Sequence, residues 1–240
     1  MELSHEYSTL WLIPARGGSK GIPDKNIKPF CGESLVSRAI KLAKSAASPQ
    51  DTIFVSTDSQ EIKSVAIESG IEIPFMRPDE LASDTASTYD AMIHALKEWS
   101  SLERNFQRIV LLQPTSPFRT LEDIKDASSL WSPEIDMVVS VKKSSANPYF
   151  NLFELNKDGF LHLSKGDGSY TRRQDAPVVW EYNGAVYVIT VDSLLKSPLS
   201  RFKKIVPYEM PASRSIDLDT PQDWKIAEII YKNLNCEVQK

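Results

Sequence analysis

Apolar residues in this chain alternate between short continuous runs and stripes with helical spacing. The runs have the length and composition of buried strands, and they lie at 9–13, 53–55, 108–112 and 137–139. Between them, apolar positions recur with a helical period, as at 35–46. Strands that alternate with helices every 30–40 residues or so indicate βαβ units. The pattern therefore predicts an α/β fold, doubly wound around a mainly parallel sheet.

Polar residues mark where several of the helices begin. Asp58 with Glu61 resembles a capping box, and a helix is expected over 85–99. Thr120 is predicted to cap the next helix, and Thr220, followed by a proline, to cap the last one. The buried stripe of the last helix is predicted to consist of Trp224, Ala227, Tyr231 and Leu234.

The helical period disappears between about 142 and 182. Prolines, glycines, paired basic residues and short aromatic-rich pieces replace it. We interpret this stretch as a β-rich excursion from the sheet, with the character of an oligomerisation arm. No long linker separates two independent units, so residues 1–240 are expected to form a single domain with this arm inserted.

Composition narrows the classes of function. The 240 residues are 41% hydrophobic and 25% charged, which is typical of a soluble globular protein. A net charge of −4 argues against a general nucleic-acid binder. No apolar run is long enough to cross a membrane, and Cys31 and Cys236 lack metal-ligand spacing. We expect a cytoplasmic protein with reduced thiols and no membrane or nucleic-acid partner.

The loop after the first strand combines glycines with three cations in ten positions. Its candidate nucleotide-binding residues are Arg16, Gly17, Gly18, Ser19, Lys20, Lys25 and Asn26. Glycines let backbone N–H groups approach an anion, so a polyphosphate is the predicted occupant. The loop has neither the Walker A spacing nor the G-x-G-x-x-G pattern of dinucleotide folds. The alternative is a glycine turn with solvated lysines.

Two further loops carry polar groups at the expected sheet edge. The 113–119 loop, which begins with Gln113, follows a buried strand and is stiffened by two prolines, so it is a candidate shelf for a sugar or ribose. An ordinary rigid crossover is the alternative. The segment 77–88 places Arg77, Ser87 and Thr88 before a helix N-terminus, where anions or base edges can bind. Helix capping by Ser83 or Asp84 is the alternative there.

Asp217 and Asp219 form the last candidate site. In an extended segment, side chains two residues apart point to the same face, so both carboxylates can meet one hard cation. Beside a triphosphate, that cation is expected to be Mg²⁺. Asp219 could instead serve as a helix cap, although Thr220 already fills that role.

These motifs, in this order, resemble the CMP-N-acylneuraminate cytidylyltransferase family, the CMP-sialic acid synthetases. The resemblance extends from about residue 10 to residue 235. Its pieces are PARGGSKGIPDKN at 14–26, RPDELASDTAS at 77–87, LLQPTSPFR at 111–119, RQDAPVVWEYNGAVY at 173–187 and SIDLDTP at 215–221. The family has a Rossmann-like nucleotidyltransferase fold.

The resemblance also implies roles for individual residues. Arg16, Lys20, Lys25 and Asn26, within the 16–26 loop, would hold the CTP phosphates. Arg77 with Ser87 or Thr88 would face the cytosine, and Asp217 and Asp219 would hold Mg²⁺. Gln113, Arg173, Asn183 and Tyr187 would line the sugar pocket, with Arg173 a candidate partner for the sugar carboxylate. The 142–182 region would be a dimerisation arm that completes the sugar site of the neighbouring subunit.

The implied reaction joins CMP to a sugar acid. The anomeric hydroxyl of an N-acylneuraminate-type nonulosonic acid attacks the α-phosphorus of CTP, and pyrophosphate leaves. Arg16, Lys25, Asp217 and Asp219 would be catalytic, and an aspartate or metal-bound water would deprotonate the hydroxyl. Alternatives are a synthetase for CMP-legionaminate or CMP-pseudaminate, more distantly for CMP-Kdo, or a noncatalytic nucleotide-binding sensor.

Overall fold

Strands and helices alternate along most of the chain. The computed structural model describes residues 8–83 and 85–238, except the side chains of 235–238. In chain order the elements are β1 (Thr9–Pro14), β2 (Pro29–Phe30), β3 (Glu33–Ser34), α1 (Leu35–Ala46), β4 (Thr52–Ser56), α2 (Gln60–Glu68), α3 (Thr88–Ser101), β5 (Arg108–Leu111), α4 (Leu121–Ser129), β6 (Met137–Lys143), β7 (Phe153–Leu155), β8 (Leu161–Leu163), β9 (Trp180–Thr190), α5 (Val191–Lys196), β10 (Ile205–Glu209) and α6 (Pro221–Val238).

The main sheet has the strand order β10-β6-β9-β5-β1-β4. Neighbouring strands are parallel except at β9, which runs antiparallel to both β5 and β6. The reversal follows from the connection, because the chain leaves β6 and returns along its neighbour β9 without a crossover helix. Residues of β1, β5 and β6 are buried on both faces, as expected when helices cover the sheet. The predicted doubly wound, mainly parallel α/β fold is confirmed.

The helix starts agree with the sequence patterns in part. Thr120 caps α4 in a capping box with Asp123, and the backbone N–H of Asp223 donates to Thr220 Oγ1 at the start of α6. The capping box predicted for α2 with Asp58 was wrong. Ser59 is the N-cap, and the Asp58 carboxylate instead accepts from the backbone N–H of Gly17. The helix predicted over 85–99 begins and ends later, and its N-cap is Ser87 rather than Ser83.

Residues 144–179 lie outside the main sheet. Within them, β7 and β8 pair as a short antiparallel hairpin. The hairpin exposes large apolar side chains to solvent, among them Leu155 (69% exposed), Phe160 (70%) and Leu161 (68%). Its strands are shorter than a β-rich excursion suggests, since each has only three residues.

A second, smaller core lies apart from the core of the main sheet. It contains Ile22, Phe30, Leu35, Phe118, Leu218, Trp224 and Ala227, and we call it the small core. Phe30 lies edge-on to Trp224, with ring centroids 5.3 Å apart. Ile22, Phe118 and Leu218 belong to three different loops that the sequence marks as functional. The small core therefore holds these loops together.

The last helix packs through its first half. Trp224 and Ala227 are buried as predicted, and Tyr231 packs against the small core. Leu234 does not belong to the stripe, because 45% of it is exposed. No helix in the described part of the chain combines the length and apolar character needed to span a bilayer.

Candidate active site

The glycine loop (14–26) follows β1, and the 113–119 loop follows β5, the parallel neighbour of β1. Both loops therefore lie at the carboxyl edge of the sheet, where α/β proteins bind ligands. A cleft of about 410 Å³ opens at this edge. Its lining includes Arg16, Ser19, Lys20, Lys25, Asn26, Arg77, Ser87, Thr88, Gln113, Asp217 and Asp219.

The glycine loop touches the segment that carries the two aspartates. Lys25 Nζ donates to the carbonyl oxygen of Leu218 at 2.7 Å and lies 3.2 Å from Asp219 Oδ1. Gly21 packs so closely against the backbone of Asp219 that a Cβ at position 21 would overlap the Asp219 carbonyl oxygen. The cationic loop and the paired carboxylates thus form two sides of one cleft.

Protein contacts fix the shape of the glycine loop. The backbone N–H of Gly17 donates to Asp58 Oδ1 at 2.9 Å, and Asn26 Nδ2 donates to the carbonyl oxygen of Arg16 at 2.9 Å. Gly18 has a φ of 60°, which a glycine adopts without strain. Because Asp58 occupies its N–H, Gly17 supports the loop, and neither Gly17 nor Gly18 is among the residues that line the cleft.

Asp58 is a residue whose role the sequence did not reveal. It directly follows the segment Ser56-Thr57 at the end of β4, and its helix-cap pattern concealed that it faces the glycine loop instead. Its position after a parallel strand was the available signal.

Arg77 is almost fully buried at the wall of the cleft. Its Nε donates to Ser56 Oγ at 3.0 Å, and Nη2 donates to the carbonyl oxygen of the same residue. Burial lowers the pKa of Arg77 to about 10, and the charge of Asp58 opposes that shift. Because it is held by β4, Arg77 is a fixed donor that faces the cleft.

Ser87 and Thr88 line the cleft but differ in what they can offer. The Ser87 hydroxyl accepts from the backbone N–H of Asp90 and donates to the Asp90 carboxylate at 2.7 Å. Ser87 is therefore occupied by the capping box of α3. Thr88 is the first residue of that helix and has no such capping role in the described contacts. Thr88 is therefore a better candidate than Ser87 to offer a hydroxyl to the edge of a base.

The two aspartates differ in environment. Burial raises the pKa of Asp217, and the neighbouring charge of Asp219 acts in the same direction. The Asp219 side chain is 71% exposed and contacts Lys25. Between them, Leu218 is buried in the small core, and its N–H donates to the carbonyl oxygen of Thr115 at 3.0 Å. This alternation directs both carboxylates towards the cleft.

Arg119 is a second buried cation that sequence reasoning left without a role. One of its terminal nitrogens, Nη1, donates to the carbonyl oxygen of Ala185 at 2.6 Å, while Nε has no partner in the structure. Burial lowers the pKa of Arg119 to about 9, and the charge of Asp217 opposes the shift. Arg119 thus places a positive charge behind Asp217. The only signal in the sequence was its position at the end of the 111–119 motif.

A second cleft, of about 560 Å³, shares Gln113, Asp217 and Asp219 with the first. Tyr187 also lines it, and burial raises the pKa of that phenol to about 12, so the hydroxyl stays protonated and can donate. Asn183 lines the cleft as well, but its amide is occupied. Its Oδ1 accepts from Ser140 Oγ and its Nδ2 donates to Ser215 Oγ.

A bulge in β9 shapes the floor of the second cleft. The register between β6 and β9 shifts between Val139 and Val141, opposite residues 183–186. Gly184 lies there with a φ of 73°, and a Cβ on it would come within 2.8 Å of Gln113 Oε1. The positive φ favours glycine here, and a larger residue would also displace the end of the Gln113 side chain.

Arg173 lies apart from the other predicted sugar residues. It belongs to a short turn in the 144–179 excursion, is exposed, and is not among the residues that line either cleft. The structure therefore does not bring Arg173 to the second cleft of its own chain.

Comparison with known proteins agrees with this geometry. Residues 10–230 match the family model described as Cytidylyltransferase. The chain belongs to the cytidylyltransferase family. Members are nucleotidyltransferases, so the predicted enzyme class and the resemblance found in the sequence are confirmed. In this cytidylyltransferase, the match covers both the glycine loop and the aspartate segment.

Individual relatives of the cytidylyltransferase are similar over most of its length. It is 31% identical to a CMP-N,N'-diacetyllegionaminic acid synthase of Legionella pneumophila, over 95% of this chain and 97% of that one. It is 35% identical to an N-acylneuraminate cytidylyltransferase of Streptococcus agalactiae, over 89% of this chain but 51% of that one. The fold resembles that of a CMP:2-keto-3-deoxy-manno-octonic acid synthetase complexed with CTP, with a TM-score of 0.69. The two chains are 16% identical, and the superposition covers 94% of this chain and 99% of that one.

The close approach of Gly21 to Asp219 makes a specific prediction. Gly21→Ala should separate the glycine loop from the aspartate segment, because the new methyl group overlaps a backbone oxygen that cannot rotate away. We expect the KM for CTP to rise by roughly 10-fold or more, since positioning in the cleft is lost.

Gly17→Ala is the matched control. Its Cβ would approach the Ser59 side chain at 3.2 Å, a milder contact. Steady-state kinetics of both variants, with thermal unfolding to establish folding, provide the measurement. An unchanged KM for CTP in folded Gly21→Ala would contradict the prediction.

Proposed function

We propose that this cytidylyltransferase transfers CMP from CTP to the anomeric hydroxyl of an N-acylneuraminate-type nonulosonic acid and releases pyrophosphate. One observation carries the proposal. A cleft with a cationic glycine loop on one side and paired carboxylates on the other adjoins a second polar cleft, and Gln113, Asp217 and Asp219 belong to both. A nucleotide in the first cleft would place its α-phosphorus beside an acceptor in the second.

The first cleft has groups suited to each part of CTP. Arg16, Lys20 and Lys25 line the side where a triphosphate would need positive charge. Arg77 and Thr88 also line this cleft, where a fixed donor and a hydroxyl suit the edge of a cytosine. Asn26 supports the loop by holding the carbonyl oxygen of Arg16.

Mg²⁺ fits the paired carboxylates. Asp217 and Asp219 offer the oxygen ligands that a hard cation prefers, and the raised pKa of Asp217 reflects burial next to a like charge. Within the described residues, no cluster of three or more His, Cys, Asp and Glu side chains could hold a metal by itself. Oxygens of the triphosphate and of water would complete the coordination shell of Mg²⁺. When bound, Mg²⁺ supplies charge neutralisation on the phosphates.

The residues of the chain then act by position and charge. As the acceptor oxygen bonds to the α-phosphorus, the hydroxyl proton passes to a carboxylate of the cleft or to water. The bond from the α-phosphorus to the oxygen of the β-phosphate breaks, so pyrophosphate leaves with the bonding electrons. Arg16 and Lys25 stabilise the negative charge that gathers on pyrophosphate. The Tyr187 hydroxyl, which lines the second cleft, donates to the acceptor. Asn183 holds the cleft floor through Ser140 and Ser215.

A legionaminic-type acceptor is the alternative within the same class. The relative that makes CMP-N,N'-diacetyllegionaminic acid matches nearly its whole length, whereas the N-acylneuraminate enzyme is about twice as long as the matched part. Both acceptors are nonulosonic acids, and both use the same reaction. The proposed location is the cytoplasm, where CTP is made.

We also propose that the enzyme is a homodimer in which the 144–179 excursion reaches the partner. Two observations support this. The hairpin exposes Leu155, Phe160 and Leu161, which a second copy would cover. Arg173, assigned to the sugar pocket by resemblance, lies outside the second cleft of its own chain.

The proposed function is tested by incubating the enzyme with CTP, Mg²⁺ and a panel of nonulosonic acids, and measuring pyrophosphate release and product mass. A CMP-sugar with one of the acceptors is the expected result. Binding of CTP without pyrophosphate release from any acceptor would contradict the proposal and favour a noncatalytic sensor.

Asp219→Asn should lower kcat by roughly 100-fold or more, because it removes a negative metal ligand while keeping its shape. Activity is measured at several Mg²⁺ concentrations, with circular dichroism to show that the fold persists. Asp126→Asn, an exposed aspartate on α4, is the matched control and should behave as wild type. Near-normal activity of Asp219→Asn at limiting Mg²⁺ would remove this residue from the metal site.

Mixing two inactive variants tests whether Arg173 acts in the partner subunit. Arg173→Ala and Asp219→Asn should each be nearly inactive alone. When equal amounts exchange subunits, each mixed dimer has one intact site, so about a quarter of wild-type activity should return. Size-exclusion chromatography gives the oligomeric state. No recovery after proven exchange would show that Arg173 does not complete the partner's site.

A further inference from the structure

An ion pair in the second cleft has no part in the reaction as described so far. Lys142, near the end of β6, and Glu181, near the start of β9, are cross-strand partners. Lys142 Nζ lies 3.1 Å from Glu181 Oε1. The other carboxylate oxygen, Oε2, accepts from Ser144 Oγ at 3.1 Å. Both charged residues line the cleft that we assign to the acceptor.

The charge of this cleft is unbalanced. Four carboxylates line it, those of Glu181, Asp217, Asp219 and Asp223. Among the described residues of the lining, Lys142 is the one cation. The acceptor is itself an anion, because a nonulosonic acid carries a carboxylate at neutral pH. Mg²⁺ would offset Asp217 and Asp219, which leaves the carboxylates of Glu181 and Asp223 in the lining. Like charges repel at short range, so a cation close to the acceptor carboxylate favours its entry, and Lys142 is the lining residue that can supply it.

Lys142 can change partners at little cost. Its side chain is 28% exposed and that of Glu181 is 48% exposed, and ion pairs with this much exposure contribute little to stability. Glu181 also keeps its bond from Ser144 when the lysine turns away. The ion pair therefore holds Lys142 in place in the acceptor-free enzyme without blocking another carboxylate.

We propose that Lys142, rather than Arg173 as the resemblance implies, binds the carboxylate of the acceptor sugar acid and thereby determines the specificity of the enzyme for acids. The inference rests on the proposed function. In a 2-keto sugar acid, the carboxylate is bonded to the anomeric carbon, whose hydroxyl is the nucleophile. A cation in the cleft that also contains Asp217 and Asp219 thus orients the reacting hydroxyl as well as binding the acid.

The neighbouring lysine provides a matched control. Lys143 follows Lys142 in β6, and successive side chains of a strand point to opposite faces. Lys143 Nζ lies 3.4 Å from Glu209 Oε1, its side chain is 63% exposed, and it is not among the residues that line the cleft. Substitution of Lys143 tests the loss of one positive charge without loss of the proposed contact.

The experiment uses the acceptor that the wild-type enzyme converts and the same acceptor with its carboxylate changed to a carboxamide. The wild-type enzyme should prefer the acid by about 10- to 100-fold in kcat/KM, the range of a charge-assisted hydrogen bond. Lys142→Met should raise the acceptor KM by a similar factor, abolish the preference for the acid, and leave the KM for CTP within about twofold.

Three further variants make the outcome decisive. Lys142→Arg should keep the preference for the acid, and Lys143→Met should behave as wild type. Glu181→Gln should keep the preference, because it removes a competing anion. The proposal is overturned if Lys142→Met retains the preference, or if Glu181→Gln raises the acceptor KM as much as Lys142→Met does. Failure of the proposed function would appear separately, as no product from any acceptor with the wild-type enzyme.

Discussion

The contact between Lys25 and the 217–219 segment is the constraint on which the site depends. Lys25 and Leu218 are 193 positions apart in the sequence, yet the lysine donates to the backbone oxygen of Leu218 at 2.7 Å. Because the acceptor is a main-chain atom, the contact fixes the path of the chain as well as a side chain. The Leu218 side chain points away into the small core, so the carboxylates on either side of it face the cleft.

Two buried arginines show how the fold positions charge. Within the described residues, neither Arg77 nor Arg119 forms a salt bridge, and burial lowers the pKa of both. Their guanidinium groups donate to backbone oxygens instead, of Ser56 and Ala185. A cation held in this way loses hydration during folding, so it does not need to lose it when a ligand binds. The cost of burial is met in the folded enzyme before the substrate arrives.

The sequence predicts the parallel part of the sheet and most of the residues that line the first cleft, because continuous apolar runs and strand-end loops are local patterns. Lys25 and Asp219 were both recognisable from such patterns. The antiparallel direction of β9 was not, since it depends on how the chain returns from the 144–179 excursion. The role of Asp58 was also hidden, because an aspartate before a helix has the same local pattern whether it caps that helix or binds Gly17. Leu234 lay in the predicted stripe of α6, but the small core ends before it.

The excursion of residues 144–179 leaves the sheet at β6 and returns at the adjacent strand β9, so its two ends are neighbours that the sheet already pairs. An insertion with paired ends can lengthen, shorten or change its surface without altering the strands that support it. The length and surface of residues 144–179 can therefore vary between related chains while the strands and loops that form the two clefts stay as they are.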